Sequence, residues 1–198
     1  MIQNNNTFKI LSLLIRDIEP YNINQIARTL KISVGSAHKI LKNLEGRNIV
    51  NVKELGNALY YSLNLDNNEA VKSSELVLIE DKNKILKENA TARIYALDLE
   101  KYEAKCIVLF GSILSKEEKA NDVDVLFIIK NKGKASGVNK FCLEISKTRT
   151  KKIHPLIMLE QDFTSNIKMR NKTILDIVKK CAVLRGEDVF IKAIKNAR

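Results

Sequence analysis

The sequence predicts an α+β protein in two parts, and three observations carry that prediction. The first 65 residues read as three short amphipathic helices followed by two strands around Gly56-Asn57. Residues 66–89 are polar and charge-alternating with a loose apolar stripe. From residue 90 onward, short β-rich apolar runs alternate with helical patterns, which is the arrangement of a mixed sheet flanked by helices. The expected organisation is an N-terminal domain over 1–65, a linker helix over 66–89 and a second domain over 90–198. At 198 residues, 45% hydrophobic and 29% charged, the chain has the apolar content for one medium core or two small ones.

The elements follow in order. From Thr7, the residues Phe8, Ile10, Leu11, Leu14, Ile15 and Ile18 recur at helical spacing, and the run stops at Pro20. Asn22 offers a cap for a second helix, Ile23 to Leu30, with Ile26, Ala27 and Leu30 on one face. After the Lys31-Ile32 turn, Ser33 caps a third helix in which Val34, Ala37, Ile40, Leu41 and Leu44 form the inward stripe, ending near Gly46. Ile49 to Lys53 and Ala58 to Leu63 then read as the two strands of a hairpin.

Three helices and a hairpin in this order resemble the winged helix-turn-helix domain of many prokaryotic regulators, and the resemblance covers residues 6–65. It implies double-stranded DNA as a partner. With the stripe buried, the third helix presents Gly35, Ser36, Lys39, Lys42 and Asn43, with Ser33 at its start. Gly35 and Ser36 permit close approach to a groove, Lys39 and Lys42 suit phosphates, and Ser36 or Asn43 can reach a base edge. Lys53 and Asn57 on the wing would meet the adjacent backbone. Such domains also serve as protein-interaction modules, and the positive charge on this helix is modest. Residues 66–89 suit a linker helix or equally a homodimer seam. Ala90 to Tyr102 reads as a further helix with Ile94, Leu97 and Leu99 facing in.

The chemistry concentrates in Cys106 to Ile129. Ile107 to Phe110 is a short apolar strand stopped by Gly111, which lets backbone approach a ligand closely. Ser112 and the following amides are expected at the start of a helix, where unpaired N–H groups suit a phosphate. Val123, Val125 and Phe127 alternate with Asp122, Asp124 and Leu126, so the period of two in a strand puts both aspartates on one face. Two carboxylates there form a clamp that a hard cation such as Mg²⁺ prefers.

A Gly-Ser turn followed by an Asp-x-Asp strand resembles the signature of the DNA polymerase beta-like nucleotidyltransferases, especially their minimal members. The resemblance implies that Gly111 and Ser112 hold nucleotide phosphates, and that Asp122 and Asp124 are catalytic ligands of Mg²⁺ or Mn²⁺. ATP is the expected nucleoside triphosphate, and a protein or nucleic-acid hydroxyl is the expected acceptor. Minimal relatives often act as antitoxins that adenylylate a ribonuclease toxin, which makes a toxin-like protein an expected acceptor. Active members carry a third carboxylate on a following strand. In the matching stretch here, Lys152 to Leu159, His154 stands where that acid is expected, and Glu160 and Asp162 lie just beyond. The basic run Lys147 to Lys152 suits either an entrance for polyanions or a solvated loop. Asp162 to Lys180 reads as helical, Ala182 to Leu184 as a short strand before Gly186, and Glu187 to Ala197 as a last helix.

Charge is unevenly spread within a net +11: residues 1–65 contribute +4, residues 66–104 contribute −3 and residues 105–198 contribute +10. Polyanions are plausible partners at both ends. Cys106, Cys142 and Cys181 are widely separated and match neither a disulfide framework nor a zinc pattern. No apolar run approaches the roughly 20 residues that span a bilayer, and the start shows no secretory pattern, so a cytoplasmic protein with no membrane partner is expected. Three readings stand. One is a DNA-binding nucleotidyltransferase. A second is a catalytically inactive regulator whose second domain senses nucleotide or dimerises. A third, an RNA-binding nucleotidyltransferase using the basic C-terminal part, is distinguished by salt-dependent RNA affinity.

Overall fold

A computed structural model describes residues 5–115 and 120–198 and is α+β, with one antiparallel and one mixed sheet. The chain divides into two compact units, Met1–Val77 and Leu78–Arg198. None of the described helices is long and apolar enough to cross a membrane.

In the first unit, α1 (Asn5–Arg16), α2 (Ile23–Leu30) and α3 (Val34–Gly46) pack with strands β2 (Val50–Leu55) and β3 (Ala58–Leu63). A two-residue strand that the sequence did not announce, β1 (Tyr21–Asn22), pairs with β3, giving the antiparallel order β1-β3-β2. It is too short for any periodic signal. The Asn22 side chain accepts the Gln25 N–H, and the Gln25 side chain accepts the Asn22 N–H in return, so α2 starts on a reciprocal capping box. The apolar stripes converge as expected on a core containing Ile10, Leu11, Leu14, Ile26, Ala37, Leu41 and Leu44. Val34 departs from the expected stripe. It is 47% exposed, because the first residue of α3 lies at the open end of the helix.

The helix α4 (Asn68–Glu88) contains the division between the units, and the second unit continues with α5 (Ala90–Leu99), β4 (Cys106–Phe110), β5 (Asp122–Ile129), α6 (Ala135–Thr148) and β6 (Lys152–Leu159). It closes with α7 (Glu160–Lys168), α8 (Lys172–Lys179), β7 (Cys181–Arg185) and α9 (Glu187–Ala197). The sheet order is β6-β5-β4-β7, with β5 and β6 parallel and the other pairs antiparallel. The α6 crossover permits the parallel pair. Ile107, Leu109, Val123, Val125, Phe127 and Leu184 bury one face of the sheet against α5 and α6. On the other face α7 contacts β5 and α9 contacts β4 and β7, with the Phe163 and Phe190 rings 5.7 Å apart between the two helices.

Two expectations are corrected. Ile94 and Leu97 of α5 are 43% and 61% exposed, and the inward face is formed instead by Ala92, Tyr95, Ala96 and Leu99. Small alanines let this helix approach the sheet closely, so its largest aliphatic residues do not mark its buried side. The helical run Asp162 to Lys180 is two helices, interrupted where Arg170 adopts a left-handed φ of 58° and Asn171 accepts the Ile174 N–H at 3.2 Å to start α8. The three cysteines are buried and unbridged.

Candidate functional site

The end of β4 and the start of β5 meet at Gly111. Its φ is +79°, and a Cβ placed there would collide with a carboxylate oxygen of Asp124 and lie 3.2 Å from its Cγ. Only glycine satisfies both the backbone angle and the space. The turn and the second aspartate are thus in contact, as the pairing of Phe110 with Asp124 requires. Val123 and Val125 point into the core and are fully buried, which leaves Asp122 and Asp124 together on the opposite, partly exposed face. Burial holds the Asp124 carboxyl above its usual range, with the Asp122 charge adding to the effect and His154 opposing it.

Next to the aspartates, β6 carries Lys152 paired with Asp122 and His154 paired with Asp124. His154 Nε2 lies 3.9 Å from Asp122 Oδ1, and the imidazole is 58% exposed. Glu160 and Asp162 do not supply a third acid. They follow Leu159, which pairs with Ile129 at the far end of β5, roughly 23 Å along the strand from Asp122. Glu160 is held there between Lys105 at 2.7 Å and Lys192 at 2.8 Å, and these two ammonium groups pull its carboxyl below the usual range. Asp162 accepts the Leu159 N–H. Among the described residues no group of three or more His, Cys, Asp or Glu is arranged to hold a metal. The two oxygen donors present nevertheless suit a hard cation that keeps most of its waters, as Mg²⁺ does.

Gly111 and Ser112 do not open an α-helix, as the sequence suggested. They begin a four-residue 3₁₀ turn, Gly111–Leu114, too short to carry a useful dipole. The turn is held from outside. Asn89 caps α5 by accepting the Ala92 N–H at 2.8 Å, and its amide donates to the Ile113 carbonyl at 2.7 Å. The Ser115 hydroxyl donates to the Ser112 carbonyl at 2.6 Å. Beside the turn lies a cleft of about 410 Å³, lined by Phe110, Gly111, Ser112, Ser115, Thr173, Asp176, Ile177 and Lys180. The sequence did not single out the last four. They come to the turn only because β7 pairs with β4 across some seventy residues of chain, with Cys181 opposite Phe110. No local signal announces that pairing.

Half of the basic run has structural work. Arg149 donates to Asp98 at 2.7 Å, and the Lys151 ammonium donates to the Ala120 carbonyl, just ahead of the aspartates. The Tyr95 hydroxyl accepts the Lys151 N–H at 2.7 Å. Lys147 and Lys152 remain exposed.

In the first unit the residues expected to meet DNA occupy one face of α3 and the β2–β3 hairpin. The Ser33 hydroxyl accepts the Ser36 N–H at 3.1 Å, so it caps the helix. Gly35, Lys39, Lys42 and Asn43 are exposed along α3, joined by His38, and Lys53 and Asn57 are exposed on the hairpin. Ser36 is partly covered, its hydroxyl 3.5 Å from the Asn6 amide that donates to it. Leu55 and Leu59 near the hairpin tip are 44% and 48% exposed. Comparison with protein-family models, with curated proteins and with solved structures finds no match to this chain.

Proposed function

We propose that the chain is a DNA-binding nucleotidyltransferase, with a winged helix-turn-helix in the first unit and a minimal polymerase beta-like domain in the second. The contact between Gly111 and the Asp124 carboxylate supports this most directly, since it brings a turn open to phosphate against a carboxylate pair. Asp122 and Asp124 would hold Mg²⁺ or Mn²⁺, which supplies charge neutralisation at the transferred phosphoryl group. Gly111 and Ser112 would receive phosphate oxygens of a nucleoside triphosphate, ATP on this reading. In the reaction an acceptor hydroxyl oxygen, on a protein or a nucleic acid, bonds to the α-phosphorus. The bond from that phosphorus to the bridging oxygen breaks, pyrophosphate leaves, and the hydroxyl proton passes to solvent or a nearby base. Gly35, Lys39, Lys42 and Asn43 of α3, with Lys53 and Asn57 of the hairpin, would meet duplex DNA.

A second reading is favoured by one observation. The β6 positions beside the aspartates carry Lys152 and His154, where a catalytic carboxylate would serve an active enzyme. On this reading the second unit binds nucleotide without transferring it and reports nucleotide level to the DNA-binding unit. Incubating the protein with each α-labelled nucleoside triphosphate, Mg²⁺ or Mn²⁺ and a cell extract separates the two. Label transfer that disappears in the Asp122→Ala/Asp124→Ala variant supports the enzyme. Nucleotide binding without transfer, accompanied by a changed DNA affinity, supports the sensor.

A further inference from the structure

The turn after β4 has a neighbour on each side within the sheet. Phe110, the last residue of the strand, pairs with Asp124 in β5 and with Cys181 in β7. The carboxylates therefore flank the turn from one side, and Lys180, one residue before Cys181, flanks it from the other. Two strand spacings, about 10 Å, separate β5 from β7. Lys180 is exposed and lines the cleft at Gly111 and Ser112. Its ammonium makes no ion pair with any described residue. A single 3₁₀ turn brings little dipole, so a polyphosphate lying across it beside two carboxylates needs a cation from a side chain.

We propose that Lys180 holds the terminal phosphates of the substrate's polyphosphate, on the side of the turn away from Asp122 and Asp124. The assignment rests on the nucleotidyltransferase reading and adds to it the group that receives the leaving pyrophosphate. Lys180 forms no covalent bond. It neutralises charge as the bond to the α-phosphorus breaks and the pyrophosphate departs. The hydroxyls of Ser112 and Thr173 on the cleft wall offer donors to the same oxygens. Asp176, one helical turn earlier, only accepts hydrogen bonds when ionised and so confines the phosphates to the Lys180 end.

The test titrates the full chain with ATP, AMP and inorganic tripolyphosphate in Mg²⁺ by calorimetry, beside Lys180→Ala, Lys180→Arg and Lys179→Ala. Circular dichroism melts check that each variant is folded. Lys180→Ala is expected to weaken ATP and tripolyphosphate about tenfold or more and to change AMP by less than about twofold. Lys180→Arg should recover most of the loss, and Lys179→Ala should match the wild type. Equal losses for ATP and AMP, or none, overturn the role of Lys180, while label transfer by the wild type keeps the nucleotidyltransferase reading standing. A wild-type protein that binds neither ATP nor tripolyphosphate overturns both.

Discussion

Gly111 is the residue on which the candidate site turns, because it has both a left-handed φ and a carboxylate packed where a Cβ would go. Gly111→Ala should lower unfolding stability by about 1–3 kcal/mol, read from denaturant midpoints, and abolish Mg²⁺-dependent ATP binding. An unchanged midpoint would mean that neither the left-handed backbone angle nor the Asp124 carboxylate constrains this position. Asp124 contributes in the opposite sense. Its carboxyl sits above the ordinary 3.8 because burial disfavours the charged form, so its ionisation opposes folding. The penalty is present above the raised folded-state value and disappears as pH falls to the unfolded value. Asp124→Asn should therefore be more stable than the wild type at pH 7, with the gap closing towards pH 3.8. A gap that stays constant across that range would assign the effect to something other than ionisation. Asp98 behaves conventionally: the hydrogen bond from Arg149 lowers its carboxyl, so its contribution is present near neutrality and lost in acid.

Among the elements, the 3₁₀ turn shows how a short segment borrows rigidity from its neighbours. Asn89 serves both α5 and the turn through one amide. Asn89→Ala should cost about 1 kcal/mol for the lost cap and also weaken nucleotide binding. Asn89→Asp keeps the cap acceptor but loses the donor to the Ile113 carbonyl, so it should retain most of the stability and still weaken binding. Matched affinities for the wild type and Asn89→Asp would show that the turn does not need this tether. The α3 face follows a similar logic for polyanions. If Lys39, Lys42 and Lys53 each meet a DNA phosphate, the logarithm of the affinity should fall with the logarithm of salt at a slope of about −3. Each Lys→Ala change should flatten that slope by about one. A slope near zero would leave the protein-interaction use of this unit.

At the scale of the molecule, the two compact units each carry their own sheet, and the carboxylate pair belongs to the second. Binding of Mg²⁺ and ATP to the folded state should raise hydrogen-exchange protection in β4, β5 and β7. The gain is about 2.7 kcal/mol at a hundredfold excess over the dissociation constant, and EDTA should reverse it. Absence of that gain, with ATP bound, would place the nucleotide elsewhere. The +10 carried by residues 105–198 bears on the RNA-binding alternative, but Arg149 and Lys151 are already engaged within the fold. The basic run is thus less available to a polyanion than its composition suggests.

Local rules determined much of this protein from the sequence alone. The caps at Asn22 and Ser33, the hairpin around Gly56-Asn57 and the shared face of Asp122 and Asp124 all follow from interactions within a few residues, where period and capping chemistry act directly. The inward face of α5 was not legible, because alanines leave no apolar stripe to read. The companions of the aspartates were decided by the tertiary structure. His154 reaches Asp122 through a parallel pairing set by the α6 crossover, Glu160 is carried to the opposite end of the sheet, and Lys180 reaches the turn through β7. Strand order and register between distant segments depend on the packing of the whole core, and no local stretch of sequence contains that information.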